Sequence, residues 1–232
     1  MAESKAILFD FFGTLVDYSP SRTEQGYYKS HELMTSMGVD LTYGEFLKEW
    51  SDESAMFDKQ SEIDDSEYSM EVVSKSFLTR IVGRQPTGEE ITKLAKSYVD
   101  EWNTGVIYPS HTKEIIERLA NRYRLAVVTN THQFDLVPNH LESMGISGFF
   151  ETVVTSVEVG WRKPHPIIYS EILSRLGILP NEAIFVGDNY AADFVGPKAN
   201  GMTAFLLNSS PLESVPEGNR LNSLTDLLER GL

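Results

Sequence analysis

The sequence predicts an α/β fold, a doubly wound parallel sheet interrupted by an all-helical unit. From about residue 110 onward, helical patterns alternate with short apolar runs, which is typical of βαβ units in a parallel sheet. A further apolar run at residues 5–9 has the composition of a buried strand. Residues 18–104 carry amphipathic helical patterns and no convincing strand, which indicates an insertion after the first strand.

The first predicted strand, residues 5–9, ends at a carboxylate. Asp10 follows the apolar run directly, and Gly13 and Thr14 then indicate a turn. In open α/β sheets, ligands bind just beyond the carboxyl ends of the strands. A carboxylate at that position can attack an electrophile, so Asp10 lies where chemistry is expected, with Thr14 beside it as a further catalytic candidate.

The inserted unit divides at Gly38, at the acidic run 61–65 and at residues 83–88, all of which favour loops. The predicted helices span residues 21–37, 43–58, 67–82 and 88–102. Turn-forming residues at 17–20 and 104–109 indicate linkers. We therefore predict a core of residues 1–17 and 105–232 and a helical unit of residues 18–104.

The second half of the chain continues the sheet in regular alternation. The predicted helices cover residues 110–122, 132–145, 166–177 and 190–200. The predicted strands cover residues 125–128, 152–154, 183–186 and 203–207. Because a helix separates each pair of consecutive strands, the strands are expected to be parallel.

Composition restricts the class of protein. The 232 residues are 41% hydrophobic, enough to bury a full core, and the formal net charge of -14 gives no footprint for nucleic acid or an anionic membrane. The chain has no cysteine, which excludes disulfides, thiolate metal sites and thiol catalysis. We find no signal-peptide pattern and no apolar run of the ~20 residues that a bilayer requires. We expect a cytoplasmic protein, a monomer or homodimer, with a small-molecule substrate.

Three more groups of polar residues follow predicted strands or lie in a stiff loop. Thr129 and Asn130 follow the strand at 125–128 and could hold an oxyanion, although a helix N-cap looks the same. Lys163, in a loop with two prolines, could neutralise a phosphate or a carboxylate. Asp188 ends the strand at 183–186, and Asp193 follows one helical turn later, which would also suit an acidic first turn.

Together the three aspartates would crowd one site with a single obvious cation, Lys163. Unpaired carboxylates in such a site are costly. A hard divalent ion such as Mg²⁺ takes carboxylate and phosphate oxygens and would resolve the cost. The sequence therefore predicts a magnesium site.

These motifs, in this order, resemble those of the haloacid dehalogenase superfamily. The matching segments are Asp10 to Leu15, Thr129-Asn130, Lys163-Pro164, and Gly187-Asp188 through Asp193 to Gly196 and Gly201-Met202. The resemblance implies a Rossmann-like core of sheet order 5-4-1-2-3 with a helical cap inserted after the first motif. In that order the strands that carry Asp10 and Asp188 are neighbours.

The resemblance also implies the roles of these residues. Asp10 would be the nucleophile, forming a covalent aspartyl intermediate, and Lys163 would balance charge between the nucleophile and the substrate. Thr129 and the backbone of Asn130 would hold oxygens of the transferring group. The implied Mg²⁺ ligands are Asp10, the backbone carbonyl of Phe12, Asp188 and, as a ligand or a support, Asp193.

Phe12 departs from the pattern of the superfamily's phosphatases, which place a second aspartate there to protonate the leaving group. General acid–base help contributes typically 10² to 10⁴ in rate. A magnesium-dependent phosphatase would need a good leaving group, such as that of an acyl phosphate, or another proton donor, for instance His132. The resemblance favours this function, on a small phosphorylated metabolite.

Three alternatives stay open. Haloacid dehalogenases also carry an aromatic residue at the Phe12 position and need no metal, but they lack the counterpart of Asp188. Phosphonate hydrolases also lack the second aspartate and use a cap lysine; the candidates here are Lys29, Lys48 and Lys59. Finally, Phe12 would suit a catalytically impaired relative that binds a metabolite or a protein.

The helical unit is expected to set substrate choice by closing over the site. Its first predicted helix carries a cluster of side chains that could face the substrate: Arg22, Tyr27, Tyr28 and His31. Tyrosines at helical spacing are also typical of core packing.

Overall fold

The computed structural model describes residues 4–18, 25–207 and 214–231. The chain divides into two compact units, one of Met1–Asp17 with Ile107–Leu232 and one of Tyr18–Val106. We call the first the sheet unit and the second the helical unit. No helix in the described part of the chain has the length and apolar character that crossing a bilayer demands.

The strands and helices alternate through most of the sheet unit. The strands are β1 Ala6–Phe9, β2 Asp17–Tyr18, β3 Val106–Ile107, β4 Arg124–Thr129, β5 Phe150–Thr155, β6 Ala183–Gly187, β7 Thr203–Leu207 and β8 Arg220–Leu221. The helices are α1 Tyr28–Ser36, α2 Tyr43–Asp64, α3 Met70–Val82, α4 Gly88–Trp102, α5 Thr112–Ala120, α6 Leu136–Ser143, α7 Ser156–Val159, α8 Pro166–Leu176, α9 Gly196–Ala199 and α10 Thr225–Glu229. A π-helical turn, Tyr190–Val195, precedes α9.

The sheet has the order β5-β4-β1-β6-β7-β8, and all of its printed pairings are parallel. The predicted fold class is therefore confirmed, because the five predicted strands occur in the order 5-4-1-2-3. The short strand β8 is an addition that the sequence analysis missed. Its two residues carry too little apolar pattern to be recognised as a strand.

Strand β1 lies at the centre of the sheet, where its four residues are fully buried. It pairs with β4 on one side and with β6 on the other, with Phe9 opposite Val127 and Val186. A continuous apolar sequence is what a strand covered on both faces requires. The register brings the residues that follow β1, β4 and β6 to one edge of the sheet.

The helical unit contains α1 to α4, and its helices begin with clear capping signals. The side chain of Thr42 accepts from the N–H of Glu45, and Thr87 does the same for Glu90, each as part of a capping box. Ser69 caps α3 in the same way. Apolar and aromatic side chains, among them Phe46 and Phe77, fill the interior of this unit.

The predicted loop at residues 61–65 is wrong, because α2 continues to Asp64. Ser61 is buried within the helix, while the acidic side chains around it are exposed and solvated, so they do not interrupt the backbone. The helix ends at Asp65, which adopts φ 57 in the left-handed region. Of the predicted helix 21–37, residues 28–36 are helical, and residues 19–24 lie outside the described part of the chain.

Candidate active site

Three carboxylates converge at the carboxyl edge of the sheet. Asp10 follows β1, Asp188 follows β6, and Asp193 lies in the π-helical turn after it. One carboxylate oxygen from each residue lies within 4.8 Å of the others. Clustered carboxylate oxygens are the ligands that Mg²⁺ takes in proteins, so the donor set fits the ion that the sequence implied.

Lys163 is the cation of this cluster, and it is almost completely buried. Its Nζ donates to Oδ1 of Asp10 at 2.7 Å and to Oδ1 of Asp193 at 2.6 Å. Its ammonium group also lies 5.2 Å from the ring centre of Phe185. Burial lowers the pKa of Lys163, but the charges of Asp10 and Asp193 outweigh burial, and the net effect is to raise the pKa.

Asp193 has partners at both carboxylate oxygens. Its Oδ1 accepts from Lys163, and its Oδ2 accepts from the backbone N–H of Asn189 at 2.9 Å. Burial raises the pKa of Asp193, while the Lys163 charge opposes that change. In this arrangement Asp193 orients the lysine, which in turn contacts Asp10.

Asp188 is in a different situation from Asp193. Burial, together with the nearby charges of Asp10 and Asp193, raises the pKa of Asp188 to about 7. The Lys163 charge acts in the opposite direction and is too weak to cancel this effect. A carboxylate with excess negative charge around it favours a bound cation, because the cation removes the repulsion.

Two glycines allow the acidic groups to approach the backbone closely. A Cβ atom at Gly13 would lie 2.3 Å from Oδ2 of Asp188, and one at Gly187 would lie 2.3 Å from Cγ of Asp193. Gly13 also has φ +84, which L side chains rarely adopt. Any side chain at either position would displace an acidic group of the site.

Asn130 has a function that the sequence analysis missed. Its side-chain Nδ2 donates to the backbone carbonyl of Lys163 at 3.0 Å, and the N–H of Lys163 donates to its Oδ1 at 2.8 Å. This pair of hydrogen bonds fixes the backbone of the lysine to the loop after β4. A signal in the sequence existed, since Asn carries both a donor and an acceptor.

The remaining predicted site residues of the sheet unit lie around Asp10. Thr129 is buried at the end of β4. The hydroxyl of Thr14 donates to Oδ2 of Asp10 at a long 3.4 Å. His132 lies partly buried in the loop between β4 and α6.

Phe12 is half-buried and belongs to a group of four aromatic rings. Its ring meets that of Phe11 edge to face at 4.9 Å and that of His140 at 6.0 Å. Tyr108 Oη and His140 Nδ1 share a hydrogen bond of 2.7 Å. His140 is buried in α6, and burial lowers its pKa. The sequence analysis missed His140, a polar residue among the apolar side chains of α6.

Three residues predicted to face a substrate pack within the helical unit instead. Tyr27 stacks on Tyr98 with ring centres 4.5 Å apart, and Tyr28 stacks on Tyr43 at 4.3 Å. The Nε2 atom of His31 lies 2.7 Å from the carbonyl oxygen of Leu41, within hydrogen-bond distance. These contacts correspond to the alternative of core packing. Arg22 lies outside the described residues.

Comparison with known proteins gives a family match over most of the chain. The family model described as haloacid dehalogenase-like hydrolase matches residues 7–207. The glyceraldehyde 3-phosphate phosphatase of Methanothermobacter thermautotrophicus is 35% identical over 120 residues, which cover 50% of this chain and 51% of the relative. The chain thus matches about half the length of that relative.

Two further similarities extend over nearly the whole chain. The ribulose-1,5-bisphosphate 5-phosphatase of Halopiger xanaduensis is 26% identical over 207 residues, covering 88% of this chain and 85% of the relative. The crystal structure of a 2-haloacid dehalogenase from Pseudomonas syringae pv. Tomato DC3000 has a TM-score of 0.73 at 19% identity, with 97% of each chain covered. At that identity the structural similarity establishes the fold and leaves the reaction open.

Proposed function

We propose that this chain, which belongs to the haloacid dehalogenase-like hydrolases, is a magnesium-dependent phosphatase that acts on a small phosphorylated metabolite. The observation that carries the proposal is the carboxylate cluster: Asp188 lies beside Asp10 with only part of its negative charge balanced by Lys163. Phosphatases among the relatives support the same reaction class.

In the proposed reaction, a carboxylate oxygen of Asp10 attacks the phosphorus atom. The bond from phosphorus to the leaving-group oxygen breaks, and that oxygen departs with the electron pair. Water then attacks the aspartyl phosphate, which releases phosphate and restores the carboxylate. Asp10 suits this role because it ends a buried strand and is held by Lys163 at 2.7 Å.

The other residues of the site would bind and orient the phosphoryl group. Lys163 would offset the charge that builds up between Asp10 and the phosphate, and Asp193 would hold the lysine in place. Thr129 and the backbone N–H of Asn130 would donate to phosphoryl oxygens. The side chain of Asn130 would keep the lysine loop aligned.

Mg²⁺ would be held by the carboxylates of Asp10 and Asp188 and by the backbone carbonyl of Phe12. When bound, it would neutralise charge on the transferring phosphoryl group. Asp193 would serve as a support, since Lys163 and Asn189 already occupy its oxygens. In the same scheme the helical unit, residues 18–104, acts as the cap that selects the substrate.

Phe12 restricts the substrates that such a site could process. Its side chain cannot transfer a proton, so the leaving group would have to depart as a stable anion. Acyl phosphates meet this condition, whereas alkyl phosphates release a strongly basic alkoxide. We therefore propose substrates with an acidic leaving group.

Carbon–halogen hydrolysis is the second candidate, and Phe12 is the observation that favours it. Halide leaves without a proton, so the missing acid would be harmless. However, that reaction has no use for Asp188, whose charge lies beside the nucleophile and opposes a metal-free site. The phosphatase accounts for more of the residues present.

A substrate panel tests the proposal. We expect release of phosphate from acetyl phosphate and p-nitrophenyl phosphate with Mg²⁺ and none with EDTA, and no chloride release from chloroacetate. Asp10→Asn is expected to lower turnover by roughly 10⁴-fold or more, because it removes the nucleophile. The matched control is Asp100→Asn, an exposed change in the helical unit that breaks only an ion pair with Lys96.

Phe12→Asp tests the missing acid separately. With a carboxyl group at residue 12, turnover of an alkyl phosphate such as glycerol 3-phosphate should rise relative to that of acetyl phosphate. Full turnover by Asp10→Asn would refute the aspartyl intermediate. Metal-independent turnover of chloroacetate, with none of either phosphate, would establish the second candidate instead.

A further inference from the structure

The four aromatic rings around residue 12 form a continuous surface, which we call the aromatic wall: Phe11, Phe12, His140 and Tyr108. Phe11 is fully buried, and His140 is nearly so. Phe12 is half-buried, and Tyr108 is 41% exposed. The wall therefore runs from the interior of the sheet unit to its surface, with Phe12 and Tyr108 as the accessible members.

The contacts within the wall hold its rings in fixed orientations. The ring of His140 lies 5.6 Å from that of Phe11, 6.0 Å from that of Phe12 and 5.8 Å from that of Tyr108. The hydrogen bond between His140 Nδ1 and Tyr108 Oη fixes the tyrosine as well. A surface of aligned rings loses little conformational entropy when a ligand binds to it.

The wall begins two residues after the proposed nucleophile. The chain continues from β1 through Asp10 to Phe12, where a bridge to Val16 ends the extended segment before the turn. In an extended segment, residues two apart face the same side. The side chain of Phe12 therefore lies on the side of the chain from which Asp10 would attack.

We propose that Phe12 and Tyr108, aligned by His140, form a subsite for a planar, unsaturated leaving group such as a phenol or an enol. This inference rests on the proposed phosphatase function and narrows its substrate class. Planar unsaturated groups pack against aromatic rings in edge-to-face or offset stacked geometry. Phenols and enols are also more acidic than alkyl alcohols, so they depart without the proton that Phe12 cannot supply.

Binding of two phosphonates tests the subsite apart from any turnover. Phenylphosphonate and ethylphosphonate differ in the ring, and neither has an oxygen leaving group to release. We expect calorimetric titration of the full chain with Mg²⁺ to give a dissociation constant roughly 3- to 10-fold lower for phenylphosphonate, the usual contribution of an aromatic pair. Phe12→Leu keeps an apolar side chain of similar size and should bring the two constants to within about twofold.

Tyr108→Ala provides a second variant, because its exposed position makes a folding defect less of a concern. We expect it to weaken phenylphosphonate binding about threefold while ethylphosphonate binding changes less. Tyr123→Ala is the matched control, since Tyr123 precedes β4 and so lies at the opposite, amino-terminal edge of the sheet. It should leave the ratio unchanged.

The outcomes separate the subsite from the phosphatase. Equal binding of both phosphonates by the wild type, with acetyl phosphate still hydrolysed, would overturn the aromatic subsite and leave the phosphatase intact. Preference for phenylphosphonate without hydrolysis of any phosphate would support the subsite and refute the reaction. No binding of either phosphonate would overturn the subsite.

Discussion

The two units of the protein bury charged groups in opposite ways. In the helical unit, the carboxylate of Glu101 accepts from the N–H of Lys29 at 2.7 Å, and from the N–H and hydroxyl of Ser30 at 2.9 and 2.7 Å. It thereby satisfies donors at the start of α1. Glu53 likewise lies against Arg80 at 2.9 Å. These carboxylates have partners that balance them.

In the sheet unit, three carboxylates surround Lys163 within the described residues. Asp10 and Asp193 each contact the lysine, and Asp188 is left with excess negative charge around it. The pKa of Asp188 records the consequence, since it rises to about 7. The comparison teaches that buried charge marks a functional site when its balance requires something that the chain does not supply.

The largest expected difference in stability comes from removing the central cations of the two units. Lys163→Met should lower the free energy of unfolding by about 3 to 5 kcal/mol, because it leaves two buried carboxylates without their partner. Arg80→Met should cost about 1 kcal/mol, since the guanidinium is 43% exposed and its partners can be solvated. Urea denaturation of both variants without metal measures the difference. Equal losses would show that Lys163 is no more essential than a surface cation.

The next prediction reverses the sign of the effect. The pKa of Asp188 in the folded protein, about 7, lies above its ordinary value of 3.8. The folded state therefore holds a proton that the unfolded state has lost, and stability falls as the pH rises from about 4 to 7. The full shift corresponds to about 4 kcal/mol, and partial exposure of the group reduces the expected effect to about 2 kcal/mol.

Asp188→Asn removes this pH-dependent loss. Without metal, the variant should be more stable than the wild type by about 2 kcal/mol at about pH 8 and similar to it at about pH 4. Saturating Mg²⁺ should stabilise the wild type, by about 2.7 kcal/mol at a hundredfold excess over the dissociation constant, and leave the variant unchanged. A variant that is less stable at every pH, or that still responds to Mg²⁺, would contradict the assigned role of Asp188.

The same contrast explains what the sequence could and could not predict. Asp10 and Asp188 each follow an apolar run, and in a parallel sheet the ends of neighbouring strands meet at one edge. Their proximity thus follows from local patterns and from the strand order that the family resemblance implied. The structure brings these carboxylates together, as that order required.

Other features depend on contacts that no local pattern encodes. Asn130 bonds to a backbone 33 positions away, and His140 reaches Phe12 only because α6 packs against the chain after β1. The extension of α2 through Ser61 was missed for a similar reason. A buried serine on an otherwise acidic segment becomes favourable only when the neighbouring elements cover it.

The smallest expected effect tests the balanced side of the comparison. Glu101→Gln should lower the free energy of unfolding by about 1 to 2 kcal/mol, because an amide cannot accept all three hydrogen bonds as well as a carboxylate. Urea denaturation measures the change, with Asp100→Asn as the control that alters an exposed carboxylate one residue away. Neutralising a carboxylate should therefore destabilise the helical unit where it stabilises the sheet unit. If Glu101→Gln instead matched the gain of Asp188→Asn, general relief of the net charge of -14 would explain both, and the imbalance at Asp188 would lose its special meaning.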